Sequence, residues 1–116
     1  MQNIKKLDDR MTVSPQISVD DIPAIRAAGF SAIMCNRPDG EDAGQPAWRE
    51  IEAAARAAGL ETRFVPLSGR DLTGEALDGF VRAMADTDGP IFAYCRTGTR
   101  CEILWNATQT LARAAE

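Results

Sequence analysis

The residues best suited to chemistry lie in one short segment, residues 95–101, which reads Cys-Arg-Thr-Gly-Thr-Arg-Cys. Cys95 is a nucleophile in its thiolate form, and Arg96 and Arg100 can bind an anion. Gly98 permits the tight backbone that directs several N–H groups at one point. Together with a following helix N-terminus, these groups should lower the pKa of Cys95 below its ordinary value of about 8.5. The pattern therefore predicts a nucleophile and an anion cradle in the same place.

The composition excludes several common catalytic arrangements. The chain has 116 residues, of which none is His and three are Cys. The absence of His excludes the catalytic sites of Ser-His-Asp hydrolases, Cys-His proteases and His-ligated zinc enzymes. Cys35, Cys95 and Cys101 form no Cys-x-x-Cys pair, so neither a zinc knuckle nor a dithiol redox motif is indicated. The acidic residues show no metal-ligand spacing. We expect no metal and no cofactor.

Charge and hydropathy also limit the partners. The formal net charge is −4, and no Lys/Arg cluster is available to neutralise a nucleic-acid backbone. A small anion in a local basic pocket remains compatible with this charge. No apolar run has the length of a signal peptide or a membrane span. We therefore expect a cytoplasmic protein with reduced thiols, no nucleic-acid partner and no membrane association.

The remaining sequence alternates between strand and helix patterns. Apolar runs predict strands over 11–13, 32–35, 62–65 and 91–94. Ser18 and Pro46 mark the starts of the first two helices, and Gly29 and Gly59 mark their ends. A loop over 66–73 precedes the third helix, and the fourth is expected to begin near Cys101. The apolar faces of the third and fourth helices are expected to contain Leu77, Phe80, Val81, Met84, Ile103, Leu104, Trp105 and Leu111.

This alternation predicts a single α/β domain over residues 1–116, with a mainly parallel sheet and helices on both faces. Ligands in such sheets bind beyond the carboxyl ends of the strands. The residues just after Tyr94 and just after Cys35 are expected at this edge. One of them, Arg37, has two possible roles: it assists anion capture, or it forms only an ion pair within its loop. Cys35, Trp48 and Trp105 are expected to serve packing.

The segment 95–101 resembles the active-site loops of protein tyrosine and dual-specificity phosphatases and of rhodanese sulfurtransferases. Residues 13–16 (Val-Ser-Pro-Gln), 36–41 (Asn-Arg-Pro-Asp-Gly-Glu) and 94–101 extend the likeness along the chain. Together they resemble the phosphatase-like domain of the β-lactamase-hydrolase-like family, whose fold is that of a dual-specificity phosphatase. Members of this family have been labelled both phosphatase-like and sulfurtransferase.

The resemblance implies a role for each matching position. It makes Cys95 the nucleophile and Arg100 the anion-clamping arginine. It makes Asp71, in the loop before the third helix, the general acid that protonates the leaving oxygen. The amide cradle would be formed by Thr97, Gly98 and Thr99.

Three departures from the phosphatase pattern keep the reaction open. Four residues separate Cys95 from Arg100, where phosphatases have five and many rhodaneses have four. The residue after the arginine is Cys101, where phosphatases usually have Ser or Thr. The residue before the nucleophile is Tyr94, where phosphatases usually have His.

Three functions are compatible with these observations. The leading one is hydrolysis of a phosphate ester through a phosphocysteine. The alternative is sulfur transfer through a persulfide on Cys95, between a small sulfur donor and an acceptor thiol, with Cys101 as first acceptor or resolving thiol. The third is a non-catalytic module that binds a small anion.

Overall fold

The computed structural model describes residues 3–114, which form one five-stranded sheet with helices on both faces. The strands are β1 (Lys5–Lys6), β2 (Met11–Ser14), β3 (Ala32–Cys35), β4 (Glu61–Phe64) and β5 (Ile91–Tyr94), in the spatial order β1-β2-β5-β3-β4. All neighbouring strands are parallel except β1 and β2, which are antiparallel. The predicted fold class, an α/β domain with a mainly parallel sheet, is confirmed.

Within residues 3–114, four α-helices cover the sheet: α1 (Ile22–Ala27), α2 (Trp48–Ala57), α3 (Gly74–Ala85) and α4 (Thr99–Ala114). A single 3-10 turn (Val19–Asp21) precedes α1. Successive side chains of a strand point to opposite faces, and the two central strands show this directly. In β5, Ile91 and Ala93 pack in the core beneath α3 and α4, whereas Phe92 and Tyr94 pack beneath α1 and α2. Because both faces are covered, β3 and β5 are fully buried, which explains their continuous apolar sequences. Within residues 3–114, no helix has the length and apolarity needed to span a membrane.

The register of the three central strands determines where the site forms. Tyr94, the last residue of β5, pairs with Ser14 of β2 on one side and with Cys35 of β3 on the other. The three strands therefore end together, and the loops that follow them meet at one edge of the sheet. Strand β5 lies between the other two, so the loop that follows it occupies the middle of that edge.

The structure differs from the sequence-based expectation at the element ends and on the outer helix faces. Helix α4 begins at Thr99, two residues before Cys101, and the short edge strand β1 had no sequence signal. Val81 is 42% exposed, because the 100° step from buried Phe80 turns it away from the sheet. Leu111 is 50% exposed, because a 16-residue helix is about 24 Å long and extends past four-residue strands of about 13 Å. The face of α3 that packs on the sheet contains Ala76, Phe80 and Ala83.

Candidate active site

The loop between β5 and α4 folds around the sulfur of Cys95. The Cys95 residue has no exposed surface, and the backbone N–H of Gly98 donates to Cys95 Sγ at 3.0 Å. Gly98 has φ of +93°, a left-handed conformation that residues other than glycine rarely adopt. The N–H of Cys95 donates to the Ser14 carbonyl, which anchors the loop to the end of β2. The predicted tight, glycine-dependent loop is therefore present.

The pKa of Cys95 is lowered to about 5, in the direction expected from the sequence. The largest contribution comes from the Cys101 thiol, which donates a hydrogen bond to Cys95 Sγ. Burial opposes this effect, and the backbone of Cys101, Thr97 and Arg100 adds to it through hydrogen bonds to the sulfur. Cys95 is thus a thiolate at neutral pH, held mainly by hydrogen bonds from its own loop and the first turn of α4.

The other two cysteines remain protonated at neutral pH. Burial raises the pKa of Cys101, whose residue has no exposed surface. Burial also raises the pKa of Cys35 to about 11, and the Cys35 thiol donates to the Arg37 carbonyl at 3.2 Å. Cys35 packs in the core between the sheet and α1 and α2, as expected. The three thiols therefore differ in state, and Cys95 is the one whose pKa is lowered.

Arg100 lies beside this thiolate and is held by a carboxylate from a distant loop. Its Nη1 and Nη2 atoms donate to the two oxygens of Glu41 at 2.7 and 2.8 Å, and Nη1 also donates to the Leu67 carbonyl at 3.0 Å. The pKa of Arg100 is raised, mainly by Glu41 and to a smaller degree by Cys95. Hydrogen bonds from Arg100 and Arg37 in turn lower the pKa of Glu41 to about 2. This forked ion pair fixes the plane of the guanidinium.

Arg37 lies behind this pair. Its side chain is 3% exposed and donates to Glu41 at 2.8 Å, to Asp42 at 2.7 Å and to Gln16 at 2.9 Å. The arginine therefore fastens the acidic loop after β3 to the loop after β2. Its predicted role in anion capture stays a prediction, and its contacts are those of a residue that orients Glu41.

Sequence reasoning missed Glu41. It belongs to the segment 36–41, which carried part of the family resemblance, but no role was given to its carboxylate. The signal that could have identified it is physical: a buried arginine requires an acceptor of opposite charge, and the loop after β3 ends at the same sheet edge as Arg100. Because Glu41 and Arg100 are 59 residues apart, no spacing rule connects them.

A cavity of about 550 Å³ opens over the loop. Its lining residues are Glu41, Gly69, Arg70, Arg96, Thr97, Thr99 and Arg100. Asp71 is exposed and does not line the cavity, although its neighbour Arg70 does. Its role as general acid stays a prediction. Among residues 3–114 no group of three or more His, Cys, Asp or Glu side chains is arranged to hold a metal ion.

The contact between the two sulfurs leads to a prediction for Cys101. We expect Cys101→Ala to raise the pKa of Cys95 by about one pH unit or more, because it removes a hydrogen bond to the thiolate. Cys101→Ser should keep the pKa low, because its hydroxyl can still donate. The measurement is a pH titration of thiolate ultraviolet absorbance, taken as the difference from the same protein carrying Cys95→Ser. Equal midpoints for the alanine and serine variants would show that Cys101 is not the donor.

Comparison with known proteins gives the family. A model of the phosphatase-like domain of beta-lactamase hydrolase-like proteins matches residues 3–112. A beta-lactamase hydrolase-like protein of Agrobacterium fabrum is 39% identical over 100 residues, which is 86% of this chain and 23% of that protein. One of Xylella fastidiosa (strain Temecula1) is 34% identical over 108 residues, or 93% of this chain and 25% of that protein. The chain thus spans about a quarter of these curated relatives.

Solved structures show the same fold. A candidate phosphatase from Neisseria meningitidis Z2491 superposes with a TM-score of 0.85 and 34% identity, covering 94% of this chain and 78% of that one. The core catalytic domain of the PP-IP phosphatase SIW14 from S. cerevisiae gives a TM-score of 0.73, covering 95% of this chain and 66% of that one. At 15% identity, this second likeness concerns the fold, which is that of the cysteine phosphatases. The chain belongs to the phosphatase-like domain family of the beta-lactamase hydrolase-like proteins.

Proposed function

We propose that this domain is a cysteine-dependent phosphatase that hydrolyses a phosphate ester through a phosphocysteine formed on Cys95. One observation carries the proposal: a thiolate with a pKa of about 5 lies in a loop of backbone donors, beside an arginine fixed by Glu41. A nucleophile and a cradle for its anionic target therefore coincide. The S. cerevisiae neighbour was solved with citrate, a small polyanion, which is consistent with an anionic ligand here.

The first chemical step follows from this geometry. Cys95 Sγ attacks phosphorus, the phosphorus–oxygen bond to the leaving group breaks, and the phosphoryl group is transferred to sulfur. Arg100 and the loop N–H groups stabilise the negative charge on the three non-bridging oxygens. The leaving oxygen takes a proton, and Asp71 is our candidate for the acid.

Water completes the cycle by attacking the phosphocysteine. The phosphorus–sulfur bond breaks, inorganic phosphate leaves and the thiolate returns. The Cys101 thiol donates to Cys95 Sγ, so it stabilises the charge that develops on the departing sulfur. In this account Cys101 assists the second step in place of the hydroxyl that phosphatases usually have there.

Two observations favour sulfur transfer as a second candidate. The loop from Cys95 to Arg100 is tight enough for the Gly98 N–H to lie 3.0 Å from the Cys95 sulfur. A second thiol, that of Cys101, contacts the same sulfur. In that reaction the Cys95 thiolate attacks the outer sulfur of thiosulfate, the sulfur–sulfur bond breaks, and sulfite leaves. The resulting Cys95 persulfide then passes its outer sulfur to an acceptor thiolate.

A paired assay on the wild-type domain separates these reactions. One arm measures phenol release from an aryl phosphate, and the other measures the intact mass after incubation with thiosulfate, each with Cys95→Ser as control. We expect phenol release that depends on Cys95. Without ester turnover, a Cys95-dependent gain of about 32 Da, one sulfur atom, would establish sulfur transfer instead. Inactivity in both arms would contradict both reactions and favour a non-catalytic anion-binding module.

A further inference from the structure

The cavity over the Cys95 loop carries more positive charge than the reacting group needs. Three arginines line it, Arg70, Arg96 and Arg100, against the single carboxylate of Glu41. Glu41 is already shared between Arg100 and Arg37. The charges of Arg70 and Arg96 are therefore available to an anion inside the cavity.

The contacts of these two arginines support this availability. The Arg70 side chain has no hydrogen-bond or ion-pair partner within residues 3–114, the part of the chain that the structure describes. Arg96 is 65% exposed, and its nearest acidic contact is Asp42 at 3.8 Å. That carboxylate is held more closely by Arg37, at 2.7 Å. Within residues 3–114, Arg70 thus has no ion pair, and Arg96 has only this long contact with a carboxylate that Arg37 holds more closely.

The size of the cavity points the same way. Its volume of about 550 Å³ lies within the range of small-molecule sites, roughly 300–1,000 Å³, and greatly exceeds the space that one phosphate group fills. In the proposed reaction, the reacting group would lie against Thr97, Thr99 and Arg100, lining residues from the loop and helix start that follow Cys95. The cavity therefore has room for another part of the substrate, and Arg70 and Arg96 also line it.

We propose that the substrate carries a second anionic group, such as a second phosphoryl group, and that Arg70 and Arg96 bind it while the first lies over Cys95. This inference rests on the proposed phosphatase function and names the class of its substrate, a small molecule with two phosphoryl groups or a comparable pair of anions. Guanidinium groups suit this role because they bind phosphate through two parallel hydrogen bonds.

The binding test compares two inorganic anions by calorimetry on the Cys95→Ser protein, which binds without turnover. We expect pyrophosphate to bind about tenfold or more tightly than phosphate, and Arg70→Gln to remove most of this advantage. Arg49→Gln is the matched control, because it removes the same charge from an exposed position on α2 outside the cavity. Equal affinities for the two anions, or an advantage that survives Arg70→Gln, would overturn the proposal.

A kinetic test separates this inference from the proposed function. The quantity measured is kcat/KM for a short alkyl bisphosphate divided by kcat/KM for an aryl phosphate. We expect Arg70→Gln to lower this ratio by about tenfold and Arg49→Gln to leave it unchanged. If pyrophosphate binding behaves as expected but no ester is hydrolysed, the phosphatase proposal fails and the second anion site stands. If both esters are hydrolysed with an unaltered ratio, the second anion site is refuted and the phosphatase proposal stands.

Discussion

Replacement of Cys95 by Ser should reduce phosphate-ester turnover by a factor on the order of 10⁴ or more. At neutral pH the native thiol is already ionised, because the pKa of Cys95 is lowered to about 5. A serine hydroxyl at the same position stays protonated, and no His in the chain can act as its base. The measurement is steady-state phenol release from an aryl phosphate. Cys35→Ala is the matched control, since it alters a core thiol on the other face of the sheet and should retain turnover.

The same lowered pKa determines how the ionisation of Cys95 depends on pH. The thiolate forms as pH rises through about 5, so the nucleophile is complete at neutral pH, whereas an ordinary cysteine would ionise only near 8.5. The thiolate absorbance of wild type minus that of Cys95→Ser should therefore show a midpoint near 5. A midpoint at 8 or above would contradict the activation described here, even if Cys95→Ser were inactive.

The second large effect is expected at Arg100. We expect Arg100→Lys to lower kcat/KM by about 10² to 10³, because an ammonium group cannot replace a planar fork that binds two oxygens at once. The change also removes the two-nitrogen fork that donates to both oxygens of Glu41, at 2.7 and 2.8 Å. The measurement is kcat and KM for an aryl phosphate, with Arg49→Lys as the control for a simple exchange of cations. An unaltered kcat/KM would show that Arg100 does not contact the transferred group.

Glu41 should act through Arg100, as a positioning residue. We expect Glu41→Gln to lower kcat about tenfold, because the neutral amide holds the guanidinium less firmly. A double-mutant cycle tests this: in the Arg100→Lys background, Glu41→Gln should have little further effect on kcat. Independent, additive losses would contradict a positioning role and would indicate that Glu41 affects kcat independently of Arg100.

The sequence was informative where local patterns decide the structure. The apolar runs of β3 and β5 predicted buried parallel strands, and the glycine and arginine spacing after β5 predicted the loop that closes on Cys95. The outer faces of α3 and α4 were less predictable, since Val81 and Leu111 are apolar yet lie where the helices turn away from the sheet or extend past it. Apolar character alone does not distinguish a side chain in the core from one on an outer face.

The site was less predictable than the fold because its decisive contacts join distant segments. The interaction of Glu41 with Arg100 depends on β3 and β5 being neighbours in register, which a spacing pattern cannot show. The contact of the Cys101 thiol with Cys95 depends on α4 starting at Thr99, two residues earlier than expected, which makes Cys101 the third residue of the helix. Both contacts concern how Cys95 and Arg100 are held, and both required three-dimensional structure.

The most direct test of the central claim is to look for the covalent intermediate. The domain is mixed with an aryl phosphate, and the reaction is quenched in acid within the first turnovers. The protein is then digested, and the peptide masses are measured by mass spectrometry. We expect a gain of about 80 Da, one phosphoryl group, on the peptide that contains Cys95, and no gain in the Cys95→Ser protein. Sustained ester hydrolysis without this adduct, or with a phosphoryl group on another residue, would contradict the account.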